Sequence, residues 1–407
     1  MAEESGMKRF FKKLKDVGLK DMLHILLFVV AYPISLLYRL RRKDMWLVCE
    51  YENEARDNGY WFYKYVCENT DQDVVYAINP KSPDYEKVAK LGETVSYGTL
   101  KHWIYYLAAS VNISSQKGGK PNAAVCYLLE VYGVLKNKRV FLQHGITKDF
   151  ADVFIYKNTK MRLFICGAKP EYDFVRSEFG YPEGFVAYTG FARFDYLLEP
   201  YEQKRQLLIA PTWRSWLRTA SSDPYKKNSN KHITESEYYN TWRRFIESER
   251  LSELCRKYDM TAVFYPHRNV AHCFDDINSP GVTIANWEEY DLQLLMKESA
   301  MMLTDYTSAV MDFAYMGKPV IYYQFDYEKY RSEHFTQGYF DYERDGFGEV
   351  VSDEEALFEQ VENLMKNPTM SDKYKKRLDG FFLFRDQDNC KRIYEQVKAV
   401  DKGDKNG

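Results

Sequence analysis

Residues 303–319 read LTDYTSAVMDFAYMGKP. The apolar run MML at 301–303 predicts a strand that ends where this stretch begins. Asp305, Thr307 and Ser308 then supply side-chain oxygens for a helix start, and the helix runs through Met316. Gly317 ends it, and Pro319 leads into VIYY at 320–323, a second strand. A strand, a helix and a strand joined this way form a crossover unit, whose strands lie parallel in a sheet covered on both faces. Backbone N–H groups and the dipole at the helix start, with two hydroxyls beside them, suit an anion. Asp312 lies four residues after Ser308 on the same helix face, where a carboxylate can accept from ribose or polyol hydroxyls. Capping alone accounts equally well for Asp305, so the cluster carries more weight than any one member.

The same alternation extends in both directions. In the second half, LLIA at 207–210, AVFY at 262–265 and VTIA at 282–285 read as further strands with helical stretches between them. The first half has MWLVC at 45–49, VVYAI at 74–78, VNIS at 111–114, RVFL at 139–142 and LFIC at 163–166, with a helix over 58–67. Residues 194–206 contain Pro200 and no strong apolar run, which marks a linker; 216–234 are polar and read as a loop; 361–400 look helical. The expected fold is α/β, with two doubly wound Rossmann-type domains facing across a cleft, the architecture called GT-B. Its divisions fall at 1–43, 44–200, 201–375 and 376–407: a basic and apolar leader, two Rossmann-type domains, and a closing helix with tail.

Composition agrees. The chain has 407 residues, 45% apolar and 29% charged, enough for two packed cores. A net charge of −2 argues against a general nucleic-acid binder. Seven cysteines, with no Cys-x-x-Cys pair, disfavour a zinc ribbon, an iron–sulfur site or a secreted disulfide framework. Aromatic residues reach 16%, with 35 Tyr, as membrane-proximal surfaces and sugar-binding clefts both use.

The N-terminus stands apart. Lys8, Arg9, Lys12, Lys13, Lys15 and Lys20 interleave with Phe10, Phe11, Leu14 and Val17. An apolar run at 22–38 follows, interrupted by His24, Pro33 and Ser35, and Arg39, Arg41, Arg42 and Lys43 close it. The run is short of the roughly 20 residues of a spanning helix, and no cleavage site follows. Basic flanks on both sides suit a segment held on the cytoplasmic leaflet. A helix pair buried in the first domain is the alternative.

Ligands of such sheets bind just past the carboxyl ends of strands. Gln143-His144-Gly145 follows 139–142, and Pro266-His267-Arg268 follows 262–265, so each domain sends one histidine to the cleft edge. Histidine can take a proton from a hydroxyl nucleophile near neutral pH, and Gly145 permits close backbone approach. Pro211-Thr212-Trp213-Arg214 follows 207–210, and Arg214 has a planar fork that could clamp a phosphate or serve an ordinary salt bridge. Neither Lys117-Gly118-Gly119-Lys120 nor the Asp-x-Asp triplets at 71–73 and 386–388 have the spacing or position of a P-loop or metal site.

These elements together resemble the CDP-glycerol:poly(glycerophosphate) glycerophosphotransferases of teichoic acid synthesis. The resemblance rests on His144-Gly145, on 210–214, on 266–268, and on 304–308 running into Asp312 and Lys318-Pro319, and it extends from about residue 45 to the C-terminus. Gly190, Arg193 and Asp195 look like the family's interdomain element. It implies transfer of a polyol phosphate, glycerol phosphate first, from a CDP-activated donor to a hydroxyl of a polyprenyl-diphosphate-linked glycan or glycerophosphate acceptor, with release of CMP. His144 is then the base, and His267 stabilises phosphates or protonates the leaving group. Thr307 and Ser308 receive the diphosphate, Arg214 and Arg268 balance its charge, and Gly145, Arg193, Thr212, Asp305 and Asp312 complete the substrate-binding set. Positioning and charge stabilisation dominate such a reaction, which calls for no cofactor and no protein-held metal. The enzyme is expected peripherally on the cytoplasmic face of the membrane. Two departures leave the acceptor and the polyol open: the family's usual proline after its His-Gly-Thr step is absent from Gly145-Ile146-Thr147-Lys148-Asp149, and Thr307 stands where the family has serine. A nucleotide-sugar glycosyltransferase on the same fold is the alternative reading, and a membrane-peripheral scaffold with a degenerate site is a third.

Overall fold

The computed structural model describes residues 18–217, 231–277, 279–333 and 336–403. The basic stretch before residue 18 and most of the polar loop expected over 216–234 lie outside the described residues. Two parallel sheets organise the chain. The first has seven strands: β1 Trp46–Cys49, β2 Val74–Ile78, β3 Thr94–Ser96, β4 Val111–Ser114, β5 Arg139–Phe141, β6 Leu163–Cys166 and β7 Val186–Tyr188, in the order β3-β2-β1-β4-β5-β6-β7. The second has six: β8 Gln206–Ile209, β9 Thr261–Phe264, β10 Val282–Ile284, β11 Met301–Thr304, β12 Val320–Tyr323 and β13 Gly348–Val351, in the order β10-β9-β8-β11-β12-β13. Strand order reverses between β1 and β4 and between β8 and β11. A crevice opens at each such point, outside the carboxyl ends.

The central strands are buried along their whole length and read as unbroken apolar runs. β3, β7 and β13 are additions to the sequence reading. Each is an edge strand of three or four residues, partly exposed, with too short a pattern to stand out.

Beyond the helix Ala192–Leu197, the chain crosses to the second domain, and it returns at the end. The expected helical stretch over 361–400 divides into Glu354–Lys366, Asp372–Phe381 and Asn389–Gly403. The last of these packs on the first domain. Trp46 Nε1 donates to Asp401 Oδ2 (3.1 Å), and Asp195 accepts from the backbone N–H groups of Asn389 (2.9 Å) and Cys390 (2.8 Å). Gly190, with φ of +80°, lies where any Cβ would strike the Asn389 side chain.

The N-terminal run is a single 23-residue helix, Leu19–Arg41, with Pro33 inside it. It is long and apolar enough to cross a membrane, yet one face is docked on the helix Leu100–Ala108. Trp103 Nε1 donates to His24 Nδ1 (3.0 Å), Tyr38 donates to the Tyr105 hydroxyl (2.9 Å), and Arg39 Nη2 donates to the Leu107 carbonyl (2.7 Å). Arg42 pairs with Asp73 and Glu93. The opposite face is open: Leu26 is 64% exposed, Leu37 68% and Leu40 69%. The helix is longer than the apolar run suggested, and it packs on the domain along one face while the other presents an apolar surface.

Candidate active site

Strand-end loops of both domains enclose a cavity of about 220 Å³. The first domain contributes Glu50 just past β1, Arg56 and Asp57 ahead of the helix Asn58–Asn69, and His144 past β5; the second contributes Thr307 and Ser308 past β11. Tyr265, Trp287 and Tyr290 add an aromatic wall.

A strained turn aims His144. Gln143 has φ of +60°, a conformation that costs a non-glycine residue free energy and persists only when its surroundings hold it. Here they do. Asn58 Nδ2 donates to the Gln143 carbonyl (2.6 Å), Gln143 Nε2 donates to the Ile165 carbonyl (2.6 Å) and to Glu171 Oε1 (3.0 Å), and Thr147 Oγ1 donates to Gln143 Oε1 (2.8 Å). Glu171 also receives the N–H groups of Thr147 and Gly167, and burial pushes it up to about 7. His144 itself stays reachable by solvent within the cleft. The protein massed around it lowers its pKa, with Asp57 acting the other way and Arg193 adding to the drop.

The two domains meet closely here. A Cβ on Gly145 would stand 2.7 Å from Ser308 Oγ, so glycine is needed for the approach. Arg193 bridges the domains, donating to Asp57 Oδ1 (2.7 Å) on one side and to both Asp312 oxygens (2.5 and 2.9 Å) on the other. Burial raises the Asp312 pKa and Arg193 opposes it. Arg268 reaches back to Glu54 (2.5 Å), Arg56 donates to the Trp287 carbonyl (2.8 Å), and Arg331 pairs with Asp149 (2.7 Å).

Of the residues singled out in the sequence, His144, Arg193, Thr307, Ser308 and Asp312 line one cavity, and Gly145 adjoins it. His267 and Arg268 are half-exposed on the loop past β9, outside that lining, where Asn269 N donates to His267 Nδ1 (3.2 Å). The helix behind Ser308, Ala309–Tyr315, is only seven residues long, so the Thr307 and Ser308 hydroxyls matter more than its dipole.

Arg214 and Asp305 require correction, and Thr212 lies outside the cavity lining. Arg214 has no exposed surface; its fork is spent on Asp326 (2.7 and 3.0 Å) and Asp305 (2.8 Å). Asp305 is equally buried and also accepts from Thr212 N (2.8 Å) and Tyr306 N (2.5 Å). With a further bond from Arg214 Nη1 to the Thr212 carbonyl (3.0 Å), four of the guanidinium's five N–H donors are engaged, and full burial keeps the group from a phosphate in the cleft. This group fastens the loop past β8 to the end of β11, beneath the site.

Glu50, Arg56 and Asp57 were not legible as site residues. Glu50 is buried and accepts from the N–H groups of Arg56 (3.1 Å), Asp57 (3.4 Å) and Tyr60 (3.1 Å) and from Ser115 Oγ (3.0 Å), which pins the start of the helix that carries Asp57. Burial, with Asp57 beside it, holds its pKa well above the ordinary carboxylate range. Its one sequence signal is position, the first residue past a central strand. Among the described residues no group of three or more His, Cys, Asp or Glu side chains could hold a metal ion.

The family model of CDP-glycerol:poly(glycerophosphate) glycerophosphotransferase matches residues 30–399. The chain is 32% identical, over 97% of its length, to the minor teichoic acid biosynthesis protein GgaB of Bacillus subtilis (strain 168), of which it spans 44%. It is 22% identical over 62% of its length to a teichoic acid poly(glycerol phosphate) polymerase of Bacillus spizizenii, of which it spans 62%. Among solved structures, the wall teichoic acid polymerase TagF superposes with a TM-score of 0.63 at 15% identity, covering 97% of this chain and 99% of that one. A UDP complex of MnaA from S. aureus follows at a TM-score of 0.53 and 13% identity, over 87% and 96%. At such identities these superpositions speak for the fold, two facing Rossmann-type domains.

Proposed function

Because this chain belongs to the family of CDP-glycerol:poly(glycerophosphate) glycerophosphotransferases, we propose that its cleft transfers glycerol phosphate, or a related polyol phosphate, from a CDP-linked donor to an acceptor hydroxyl in teichoic acid synthesis. One observation carries the reading: a histidine from the first domain and two hydroxyls from the second face the same cavity, with Gly145 against Ser308. The donor diphosphate lies against Thr307 and Ser308, with Arg268 as the cation within reach on the rim. His144 takes the proton of the attacking hydroxyl. The acceptor oxygen forms a bond to the distal phosphorus, the bond from that phosphorus to the bridging oxygen breaks, and CMP departs. His267, on the loop past β9, stabilises the leaving phosphate or protonates it. Arg193, tied to both domains, keeps base and donor in register.

A donor panel tests this. CDP-glycerol or CDP-ribitol should yield CMP, and UDP- or GDP-sugars should yield no nucleotide. UDP release from a sugar donor would turn the reading toward a glycosyltransferase. In the same assay Ser308→Ala should weaken CDP-glycerol binding about ten- to a hundredfold, the loss of one hydrogen bond to a charged group of roughly 1.5–3 kcal/mol. Unaltered affinity by calorimetry would move the diphosphate away from the β11 loop.

The acceptor is lipid-linked in this reading, a polyprenyl-diphosphate glycan or a lipid-anchored polyol phosphate, and the enzyme works peripherally on the cytoplasmic leaflet. Support comes from the open apolar face of Leu19–Arg41 beside Arg39, Arg41 and Arg42. Replacing Leu26, Val30 and Leu37 together by glutamine leaves the docked face untouched. It should abolish sedimentation with anionic vesicles while the thermal midpoint holds. Vesicle binding by the unaltered protein should fall with salt without vanishing, since the charged component is screened and the apolar one is not. Full vesicle binding by the triple variant would exclude this face.

A further inference from the structure

The loop past β1 separates two cavities. Glu50 and Glu54 line the catalytic one; Glu52, between them, lines a second of about 320 Å³. Its other walls include Lys20 and His24 of the N-terminal helix, Tyr97 past β3, and Asn122 and Ala123 at the start of the helix Ala123–Val131. Tyr51 lies in that loop, between Glu50 and Glu52 in the chain, with Arg268 5.7 Å from its ring. The second cavity lies where the sheet's carboxyl edge meets the helix whose outer face is apolar.

The lining is mixed rather than apolar. His24 Nδ1 accepts from Trp103, so the neutral ring carries its proton on Nε2. Burial and Lys20 favour that neutral form. Lys20 adds a cation. Glu52 Oε1 receives Asn79 Nδ2 (3.1 Å), while Oε2 has no protein partner among the described residues. Donors and acceptors of both kinds around one aromatic ring match a ligand rich in hydroxyls, and the volume falls near the lower bound for ligand pockets, about 300 Å³.

We infer that this second cavity is an acceptor subsite, which holds a sugar or polyol segment of the lipid-anchored acceptor and leads its terminal hydroxyl past Tyr51 toward His144. The inference rests on the phosphotransfer reading above and adds the route by which an acceptor enters. An acceptor chain rising from a lipid surface under Leu19–Arg41 meets Lys20 and His24 before it meets His144. A single polyol phosphate cannot occupy both cavities at once, whereas an oligomer can.

Ala123 is an exposed first-turn residue, so Ala123→Trp fills the cavity from its rim without disturbing the core. In full-length protein it should raise the KM for a vesicle-anchored oligo(glycerol phosphate) primer about tenfold, and the Kd for the free oligomer equally. The KM for CDP-glycerol, and that for monomeric glycerol phosphate as acceptor, should stay within about twofold. Direct binding of the free oligomer needs no turnover, so it reads the subsite even if CDP-glycerol proves not to be the donor. If Ala123→Trp leaves oligomer binding unchanged, the subsite is refuted. A protein that binds oligomer here yet releases no CMP would refute the phosphotransfer reading alone. An effect on the anchored primer that is absent for the free oligomer would assign the cavity to the lipid headgroup and overturn the proposal.

Discussion

His144→Ala should lower turnover about 100- to 10,000-fold, the usual contribution of a positioned general base, while CDP-glycerol affinity changes little. The histidine stands on the first domain, across the cavity from the Thr307 and Ser308 hydroxyls proposed to receive the donor, so in this account its removal touches the acceptor side. The pH profile of the unaltered enzyme carries the same signature. A base must be neutral to accept a proton, and the surrounding protein lowers the pKa of His144. Activity should therefore persist as pH falls through the ordinary histidine range and be lost only below it, when the imidazole protonates. In His144→Ala that acid limb should disappear with the bulk of the rate. Activity within a few-fold of the parent, or an acid limb unaltered in the variant, would take His144 out of the mechanism. Glutamine at 143 should be almost as sensitive in kcat, because its left-handed backbone sets the direction of the next side chain.

Arg214→Ala should cost about 3–5 kcal/mol of stability, the penalty for stranding buried charges by removing their partner. Asp305 and Asp326 would both be left without their cation in a site with no exposed surface on the arginine. The loss reaches further than one ion pair. Tyr306 donates to Asp326 Oδ1 (3.1 Å) and stacks on Tyr330 at 3.7 Å, and Asp305 holds the loop past β8. Arg214→Lys should recover only part of the loss, since an ammonium cannot reproduce a fork that meets two carboxylates. Chemical denaturation measures this directly. A variant of parental stability with weakened CDP affinity would return Arg214 to the phosphate site that its sequence position suggested.

That reversal illustrates what the sequence can and cannot say. The segment from Met301 to Tyr323 was readable because a buried parallel strand is a continuous apolar run and a short helix begins on oxygen-bearing residues. The same logic located His144 and Ser308, both just past strands. Arg214 looked alike on position, but its fate depends on Asp326, 112 residues onward, and no local pattern announces a buried partner. Glu50 and Asp57 were missed for a related reason. Their importance comes from packing across the domain boundary, Asp57 against Arg193 and Glu50 against the turn that carries Asp57. The N-terminal helix gave the opposite difficulty. Its composition pointed to lipid, and it took contacts distant in sequence, His24 with Trp103, Tyr38 with Tyr105 and Arg39 with the Leu107 carbonyl, to reveal that one face belongs to the domain.

The most direct measurement follows the phosphorus. CDP-glycerol labelled at the phosphorus attached to glycerol is supplied with a lipid-anchored glycerol phosphate primer and purified protein. If the acceptor hydroxyl attacks that phosphorus, the label moves into the polymer as a phosphodiester, and one CMP is released for each unit added. Label leaving in CDP, with glycerol carbon alone joined to the acceptor, would mean that carbon rather than phosphorus is the centre of reaction, and would contradict the account.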